Sequence, residues 1–229
     1  MILWKNETRV GQDWKFLTKH QSAVSSCVMK TWFPAACIVL LLCGALVAAD
    51  PSVAIQPLGP VKAGDIACVK AGIEALYAVT VEILPQKPLP KAAYYPPRER
   101  YKADKLLEFL SSDSPERFTK IVGLTTQDIS TTKGDIPDWG IFGLGQLGDR
   151  ACVVSTFRLR SGKAGTQLLQ SRLAKVANHE LGHTFGLEHC PAIGCFMQDA
   201  GGKIATVDRE SAKPCADCAA RLPLKASPR

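Results

Sequence analysis

Residues 179–189 read HELGHTFGLEH, and the interpretation of the whole chain starts from this stretch. On a helix, His179 and His183 are four residues apart and project from one face, where two imidazoles can share one cation. Glu180 lies beside the first histidine, so its carboxylate can reach a water molecule at the metal without ligating the metal. The pattern therefore predicts a metal site on a helix.

Gly186 and His189 extend this pattern. Glycine adopts left-handed dihedrals without a steric penalty, so Gly186 lets the chain leave the helix sharply and His189 return as a third ligand. Three nitrogen ligands leave the fourth position of a tetrahedral Zn²⁺ open, which is typical of a catalytic site. The complete pattern, H-E-x-x-H-x-x-G-x-x-H, is that of the metzincin peptidases. A short motif arises by chance and a lone helical histidine usually satisfies a core hydrogen bond, but the length of this match favours the metal site.

Four cysteines follow the third histidine in two short-spaced pairs. They are Cys190, Cys195, Cys215 and Cys218. Four thiolates at such spacings can close a tetrahedral zinc site with Zn–S near ~2.3 Å. Two disulfides are the alternative, because an oxidising compartment favours them. We favour the zinc site.

The histidine motif, Met197 and the cysteine spacing together resemble the archaemetzincin family of zinc metallopeptidases. The resemblance extends over about Phe118–Leu222 and is weaker over Asp50–Arg117. It implies two zinc ions per chain, a general base and acid at Glu180, and a Met-turn formed by Met197 beneath the catalytic metal. The implied ligands are His179, His183 and His189 for the catalytic zinc and Cys190, Cys195, Cys215 and Cys218 for the structural zinc.

The pattern around this window predicts an α/β (α+β) fold, with a metzincin-like mixed sheet, an active-site helix and a small C-terminal zinc-bound subdomain. We expect the metallopeptidase domain over residues 50–222 and a flexible tail over residues 223–229. Predicted strands cover 53–58, 79–84, 118–124, 139–147 and 151–157, predicted helices cover 64–78, 101–110 and 168–187, and a proline-rich loop covers 88–97.

Residues 1–49 contain a predicted export signal. Thr31–Ala49 carries no charge, contains a short apolar run and ends in small residues, which is typical of a secretory signal cleaved after Ala49. We expect translation to start at Met29, where a short basic start precedes that run. The mature protein is then periplasmic or secreted. The alternative is a membrane anchor formed by residues 31–49, although the segment is short for a spanning helix.

The composition limits the function classes. The chain has 229 residues, of which 46% are hydrophobic and 21% charged, so a disordered or fibrous chain is excluded. The formal charge of +7 falls to +4 without residues 1–49, which is an ordinary solvated surface. We therefore expect no nucleic-acid partner. The zinc motif predicts a peptide or protein substrate, and we also expect a monomer.

Two further features remain open. After residues 1–49, Cys68 and Cys152 are the two cysteines outside the group of four, and they can form a disulfide. An edge strand at 141–147 can pair with an extended peptide. Gly143 and Gly145 either admit close approach of that peptide or simply weaken an edge strand.

The sequence thus predicts a zinc-dependent peptidase, and the resemblance implies a leaning towards aminopeptidase action on short peptides. A catalytically silent zinc-binding interaction module is the alternative. Glu180 argues against it, because a structural site has no use for an acid there. A nucleic-acid-binding zinc ribbon is a weaker alternative, since few basic or aromatic residues surround the cysteines.

Overall fold

The protein is described from a computed structural model, which covers residues 51–162 and 164–226. Its main sheet has five strands, numbered with all others in chain order: β1 Ser52–Leu58, β2 Thr80–Ile83, β5 Lys120–Thr125, β8 Gly143–Gly145 and β9 Ala151–Ser155. The order across the sheet is β2-β1-β5-β9-β8. Strands β2, β1, β5 and β9 are parallel to one another. Strand β8 runs antiparallel to β9 and forms one edge of the sheet. The predicted mixed α/β fold is confirmed.

A second sheet lies in the middle of the chain. Its strands are β3 Tyr94–Tyr95, β4 Arg100–Lys102, β6 Ile129–Lys133 and β7 Ile136–Ile141, in the order β3-β4-β6-β7. The hairpin of β6 and β7 carries a register shift between Thr131 and Lys133.

Helices cover both faces of the main sheet. They are α1 Ala63–Leu76, α2 Ala103–Asp113 and α3 Thr166–Thr184. In β1, Val53 and Ile55 pack in the cluster that contains α1 and α3, whereas Ala54 packs in the cluster that contains α2. This alternation follows from the pleat of a strand, and it explains why the parallel strands are apolar on both faces.

The chain after α3 packs against the same face as α3. It contains two short helices, α4 Ile204–Arg209 and α5 Ala216–Ala219. Phe196, Met197 and Cys218 are buried in the core cluster that holds α3. The predicted C-terminal subdomain therefore shares its core with the active-site helix.

One predicted strand is two separate strands in the structure. The stretch expected over residues 139–147 is divided into β7 and β8, which belong to different sheets, and the single predicted sheet becomes two. The hairpin strand β6 was not predicted. The segment expected as a proline-rich loop contains β3 between two 3₁₀ turns, Lys91–Ala93 and Pro96–Arg98.

The first residues of the predicted C-terminal tail are hydrogen-bonded to the rest of the fold. The backbone N–H of Ala78 donates to the carbonyl of Pro223 at 2.7 Å, and the N–H of Lys225 donates to the carbonyl of Leu76 at 3.1 Å. Leu224 forms a bridge with Tyr77 between these bonds. Residues 223–225 are thus held by the end of α1.

Cys68 and Cys152 do not form the disulfide considered above. Both are free thiols: Cys68 Sγ donates to the carbonyl of Gln170 at 3.2 Å, and Cys152 is fully buried in the core. The predicted export signal, the start at Met29 and the cleavage after Ala49 lie outside the described residues. Within the described ranges, none of the helices has the length and apolar character needed to cross a bilayer.

Candidate active site

Helix α3 brings two of the predicted ligands together. His179 Nε2 and His183 Nε2 are 3.1 Å apart, and the two rings meet edge to face. After α3 the chain turns at Gly186, whose φ is +90°, and returns His189 to the pair. The ring of His189 lies 5.3 Å from the ring of His179 and 4.8 Å from that of His183, between centroids. All three predicted histidines therefore meet at one point.

Backbone carbonyls fix the tautomers of the two helical histidines. His179 Nδ1 bonds to the carbonyl of Phe196 at 2.7 Å, and His183 Nδ1 bonds to the carbonyl of Leu187 at 2.6 Å. Because a carbonyl accepts only, each Nδ1 carries the proton and each Nε2 presents a lone pair. Two lone pairs at this distance repel unless a cation lies between them. The donor set therefore fits a metal.

The distances and charges also fit zinc. In a tetrahedral site with Zn–N of 2.0–2.1 Å, two nitrogens lie about 3.3 Å apart, close to the separation found here. Burial lowers the pKa of His179 to about 3 and that of His183 to about 4, with repulsion between the imidazoles adding to the effect. Both rings are thus neutral at pH 7, as metal ligands must be.

The side chain of Glu180 projects from the active-site helix towards the edge strand β8. Burial raises the pKa of its carboxyl to about 8, and the backbone N–H of Gly145 partly offsets this rise. A Cβ on Gly143 would lie 2.6 Å from Glu180 Cγ, and a Cβ on Gly145 would collide with the carbonyl of Glu180. Neither of the two uses predicted for these glycines includes this contact with the helix. They admit the helix, because β8 has no room for side chains on that side.

Met197 lies beneath the same helix. A Cβ on Gly182 would lie 2.6 Å from Met197 Sδ, so the helix and this methionine are in close contact. The carbonyl of Met197 accepts a bond from the N–H of Cys190 at 2.8 Å. This contact joins the predicted Met-turn to the segment that carries His189.

The four predicted cysteines form a second cluster. Cys190 Sγ lies 3.7 Å from Cys215 Sγ, and Cys195 Sγ lies 3.8 Å from Cys218 Sγ. A disulfide bond is about 2.05 Å long, whereas four thiolates around zinc lie about 3.8 Å apart. All four are free thiols, and their Sγ atoms lie within 4.8 Å of one another. The geometry favours a metal over two disulfides.

Backbone donors stabilise charge on this cluster. The N–H of Cys215 donates to Cys195 Sγ at 3.4 Å, and the N–H of Ala192 donates to Cys190 Sγ at 3.5 Å. A bond from the backbone of Cys218 lowers the pKa of Cys215 to about 7. At least one thiolate is thus accessible near neutral pH, as metal binding requires.

Comparison with known proteins agrees with this geometry. A family model described as peptidase family M54 matches residues 66–224. The chain belongs to peptidase family M54. It is similar to the archaemetzincin of Halobacterium salinarum, with 32% identity over 72% of this chain and 95% of the relative. It is also similar to the archaemetzincin of Saccharolobus solfataricus, with 33% identity over 64% of this chain and 79% of the relative.

Solved structures of M54 proteins have the same fold. The crystal structure of archaemetzincin from Archaeoglobus fulgidus superposes with a TM-score of 0.64 at 29% identity, over 75% of this chain and 99% of that one. The structure from Methanopyrus kandleri gives 0.66 at 27% identity, over 77% and 95%. This M54 protein is therefore a zinc metallopeptidase, and zinc is its cofactor.

Several groups that shape this M54 site were not predicted. The carbonyls of Phe196 and Leu187 orient two ligands, but every residue has a carbonyl, so residue type carries no signal for them. The buried Arg172 of α3 makes two bonds to Asp208, at 2.7 and 2.8 Å. An arginine in the apolar stripe of a helix could have signalled a buried partner, although not which one.

Proposed function

We propose that this protein hydrolyses peptide bonds with Glu180 as general base and acid at a zinc ion held by His179, His183 and His189. The observation that carries the proposal is the position of Glu180. Its carboxyl is buried one residue from a zinc ligand and faces the edge strand at Gly143. A silent zinc-binding module would have no reason to bury an acid there.

The proton transfers belong to Glu180. When bound, zinc supplies Lewis-acid activation of water and of the substrate carbonyl. Glu180 takes a proton from the attacking water and returns it to the leaving amine. Burial raises the pKa of this carboxyl above its usual range, so once it has taken the proton it holds it until the leaving amine can accept it.

The substrate is held along β8. This strand pairs with β9 on one side only, so its other side can pair with an extended peptide. The strand has only three residues, Gly143–Gly145. So short a strand can pair with only a few residues of a substrate, which favours short peptides. We propose aminopeptidase action on such peptides.

We also propose a second, structural zinc ion held by the four cysteines, which makes two zinc ions per chain. The two Sγ–Sγ separations of 3.7 and 3.8 Å, the grouping of all four Sγ atoms within 4.8 Å and the backbone donors to sulfur support it. Zinc analysis of the purified protein together with a thiol count tests this point. Two zincs and four metal-protected thiols are expected, and one zinc with two disulfides would contradict it.

A substitution of Glu180 tests the chemistry. Glu180→Gln is expected to keep zinc and to lower kcat by a factor of about 10³ or more, because the amide cannot accept the proton. Glu188→Gln, an exposed position in the same segment, is the matched control. Zinc content and hydrolysis of short peptides are measured for both. Turnover that survives in Glu180→Gln would contradict the assignment of Glu180 as the general base. A zinc-loaded wild type that cleaves no peptide would favour the silent zinc-binding module.

The aminopeptidase assignment has its own test. Peptides with a free α-amino group are compared with the same peptides carrying an N-acetyl group. Preference for the free amine is expected. Equal rates would instead indicate endopeptidase action.

For localisation, we propose export through a signal that starts at Met29 and is cleaved after Ala49. The proposal rests on the sequence of that segment. N-terminal sequencing of the protein from its native host is expected to begin at Asp50. Retention of residues 31–49 would support the membrane anchor instead. A monomer without nucleic-acid partners remains our expectation for the mature chain.

A further inference from the structure

A pocket of about 490 Å³ adjoins the edge strand. Its lining residues come from the end of β7, the turn after β9 and the start of α4: Gly140, Phe142, Phe157, Arg158, Arg160, Ser161, Gly202 and Ile204. Phe142 directly precedes Gly143, which touches the side chain of Glu180. A peptide paired with β8 would therefore enter this pocket within about two residues of the bond that is cut.

The two arginines of the pocket differ in their partners. Arg158 makes two bonds to the carboxylate of Asp128, at 2.7 and 2.9 Å. Asp128 is itself buried and also pairs with Arg100 at 2.8 Å, so its one negative charge is shared between two guanidiniums. Arg160 makes a bond at 3.1 Å to the hydroxyl of Thr156, which carries no charge. None of the described lining residues is acidic, so the pocket carries positive charge, and the guanidinium of Arg160 has no carboxylate partner among them.

The backbone around Arg160 is held rigidly. Arg172 Nη1 donates to the carbonyls of Leu159 and Ser161, both at 2.8 Å, which are the residues on either side of Arg160. The Nε and Nη2 edge of the same guanidinium donates to the carboxylate of Asp208 in α4. One buried side chain thus joins α3, α4 and the turn that carries Arg160. Because this backbone is already fixed, only the side chain of Arg160 has to be ordered when a ligand binds.

Aromatic rings complete the pocket. The side chain of Phe157 is 53% exposed although it is large and apolar, and Phe142, the residue before β8, also lines the pocket. An apolar wall with one charged donor group is the arrangement that binds an organic anion in a defined orientation. A guanidinium matches the two oxygens of a carboxylate.

We propose that this pocket is a substrate subsite in which Arg160 binds a carboxylate of the peptide. The inference rests on the proposed peptidase function and adds the substrate class: peptides that carry a negative charge within about two residues of the cleaved bond. That carboxylate is either the C-terminus of a short peptide or the side chain of an aspartate or glutamate.

Binding measurements on the zinc-loaded full chain test the subsite without turnover. The Glu180→Gln variant is titrated calorimetrically with two matched pairs of peptides. One pair differs only in a free C-terminal carboxylate against a C-terminal amide, and the other is amidated and differs only in glutamate against glutamine. We expect the acid of at least one pair to bind about tenfold tighter than its neutral partner, and the pair that responds identifies the source.

The role of Arg160 is tested in the same background. Arg160→Met is expected to bring the acid-to-neutral ratio close to one, because it keeps the apolar stem and removes the charge. Arg160→Lys should restore part of the ratio. Arg209→Met removes an exposed charge at the far end of α4 and should keep the ratio. Ratios near one in both pairs, or a ratio that survives Arg160→Met, overturn the subsite.

Parallel assays of the wild type separate this inference from the peptidase function. Hydrolysis without any charge preference keeps the peptidase and rejects the subsite. An Arg160-dependent binding ratio with no hydrolysis supports the subsite and rejects the peptidase. If no peptide binds or is cleaved, both are rejected.

Discussion

Gly143 and Glu180 share a space that has no room for a further carbon atom. Substitution of Gly143 by alanine would place a methyl group 2.6 Å from Glu180 Cγ and 2.8 Å from its Oε1. The glutamate side chain must then move, because the three atoms nearest to the new methyl group all belong to it. We expect Gly143→Ala to lower kcat by about 10²-fold, since a shift of about 1 Å in a reacting group has effects of that size.

Zinc content and peptide hydrolysis check this expectation. Gly165→Ala is the matched control, because a Cβ there meets nothing within 4 Å. The zinc content should be the same in both variants. Full activity of Gly143→Ala would show that Glu180 does not need its present position.

Glu210 introduces a pH dependence of stability. Its side chain is buried, its Oε1 has no hydrogen-bond partner among the described residues, and burial raises its pKa to about 7. In the unfolded chain the pKa is near ~4.3. Between these values the folded protein binds the extra proton, so stability falls as the pH rises from about 4.3 to 7 and stays lowered above that.

We therefore expect Glu210→Gln to raise the free energy of unfolding at pH 8 by about 2–3 kcal/mol and to change it little at pH 4.5. Denaturant unfolding at the two pH values measures the difference. Glu116→Gln, at an exposed position, serves as the comparison and should show no such dependence. An equal effect of Glu210→Gln at both pH values would mean that the carboxyl does not titrate differently on folding.

Some residues of the two clusters could be predicted from the sequence and others could not. Histidine and cysteine are rare, so their spacing identified every side chain in the two clusters. The carbonyl of Phe196, which fixes His179, has no such signature. Its position depends on the packing of the segment after α3, which local patterns do not determine.

The segment of residues 195–197 links the two clusters. Cys195 belongs to the thiol cluster, the carbonyl of the next residue, Phe196, accepts the bond from His179 Nδ1, and the N–H of Phe196 donates to the carbonyl of Lys213 at 3.0 Å. Lys213 lies two residues before Cys215. Loss of a ligand at Cys215 should therefore loosen the support of His179.

We expect Cys215→Ser to lower the affinity for both proposed zinc ions, by about 10–100-fold at the histidine site, which is the usual effect of losing a group that orients a ligand. Zinc stoichiometry and peptide hydrolysis measure it. Cys68→Ser, a thiol outside the cluster, is the control and should keep both zincs. One fully retained zinc with full activity in Cys215→Ser would show that the sites are independent.

The three long helices and the central strands were predicted well because their apolar periodicity is strong, whereas the short helices α4 and α5 were not predicted. The predicted helix over residues 168–187 is α3 with its ends shifted, and β1, β5 and β9 are close to their expected bounds. The division between β7 and β8 could not be predicted, because both halves are apolar and extended. The chain changes sheets at Phe142, and this change depends on tertiary contacts.

At the scale of the whole molecule, the C-terminal segment pairs with the end of α1, which the composition of the segment did not predict. A polar tail after Leu222 suggested a loose end, yet residues 223–225 are paired with the end of α1. Leu224 packs against the core cluster that contains α1 and α3. Long-range pairing of this kind involves residues far apart in the sequence, so no local pattern reveals it.

This pairing predicts the effect of shortening the chain. It holds Tyr77, whose hydroxyl donates to the carbonyl of Asn178 at 2.7 Å and whose ring lies 5.5 Å from that of Phe185. A chain ending at Leu222 loses two backbone hydrogen bonds and the burial of Leu224. We expect the free energy of unfolding to fall by about 2–3 kcal/mol, from about 1 kcal/mol per bond and a partly buried leucine.

A chain ending at Ala226 keeps these contacts and is the control. Denaturant unfolding of the full-length chain and the two shortened chains, all loaded with zinc, measures the difference. Because Tyr77 contacts α3 next to His179, the chain ending at Leu222 should also release zinc at a lower chelator concentration. Equal unfolding midpoints for the two shortened chains would show that the C-terminal pairing adds nothing to the stability of the fold.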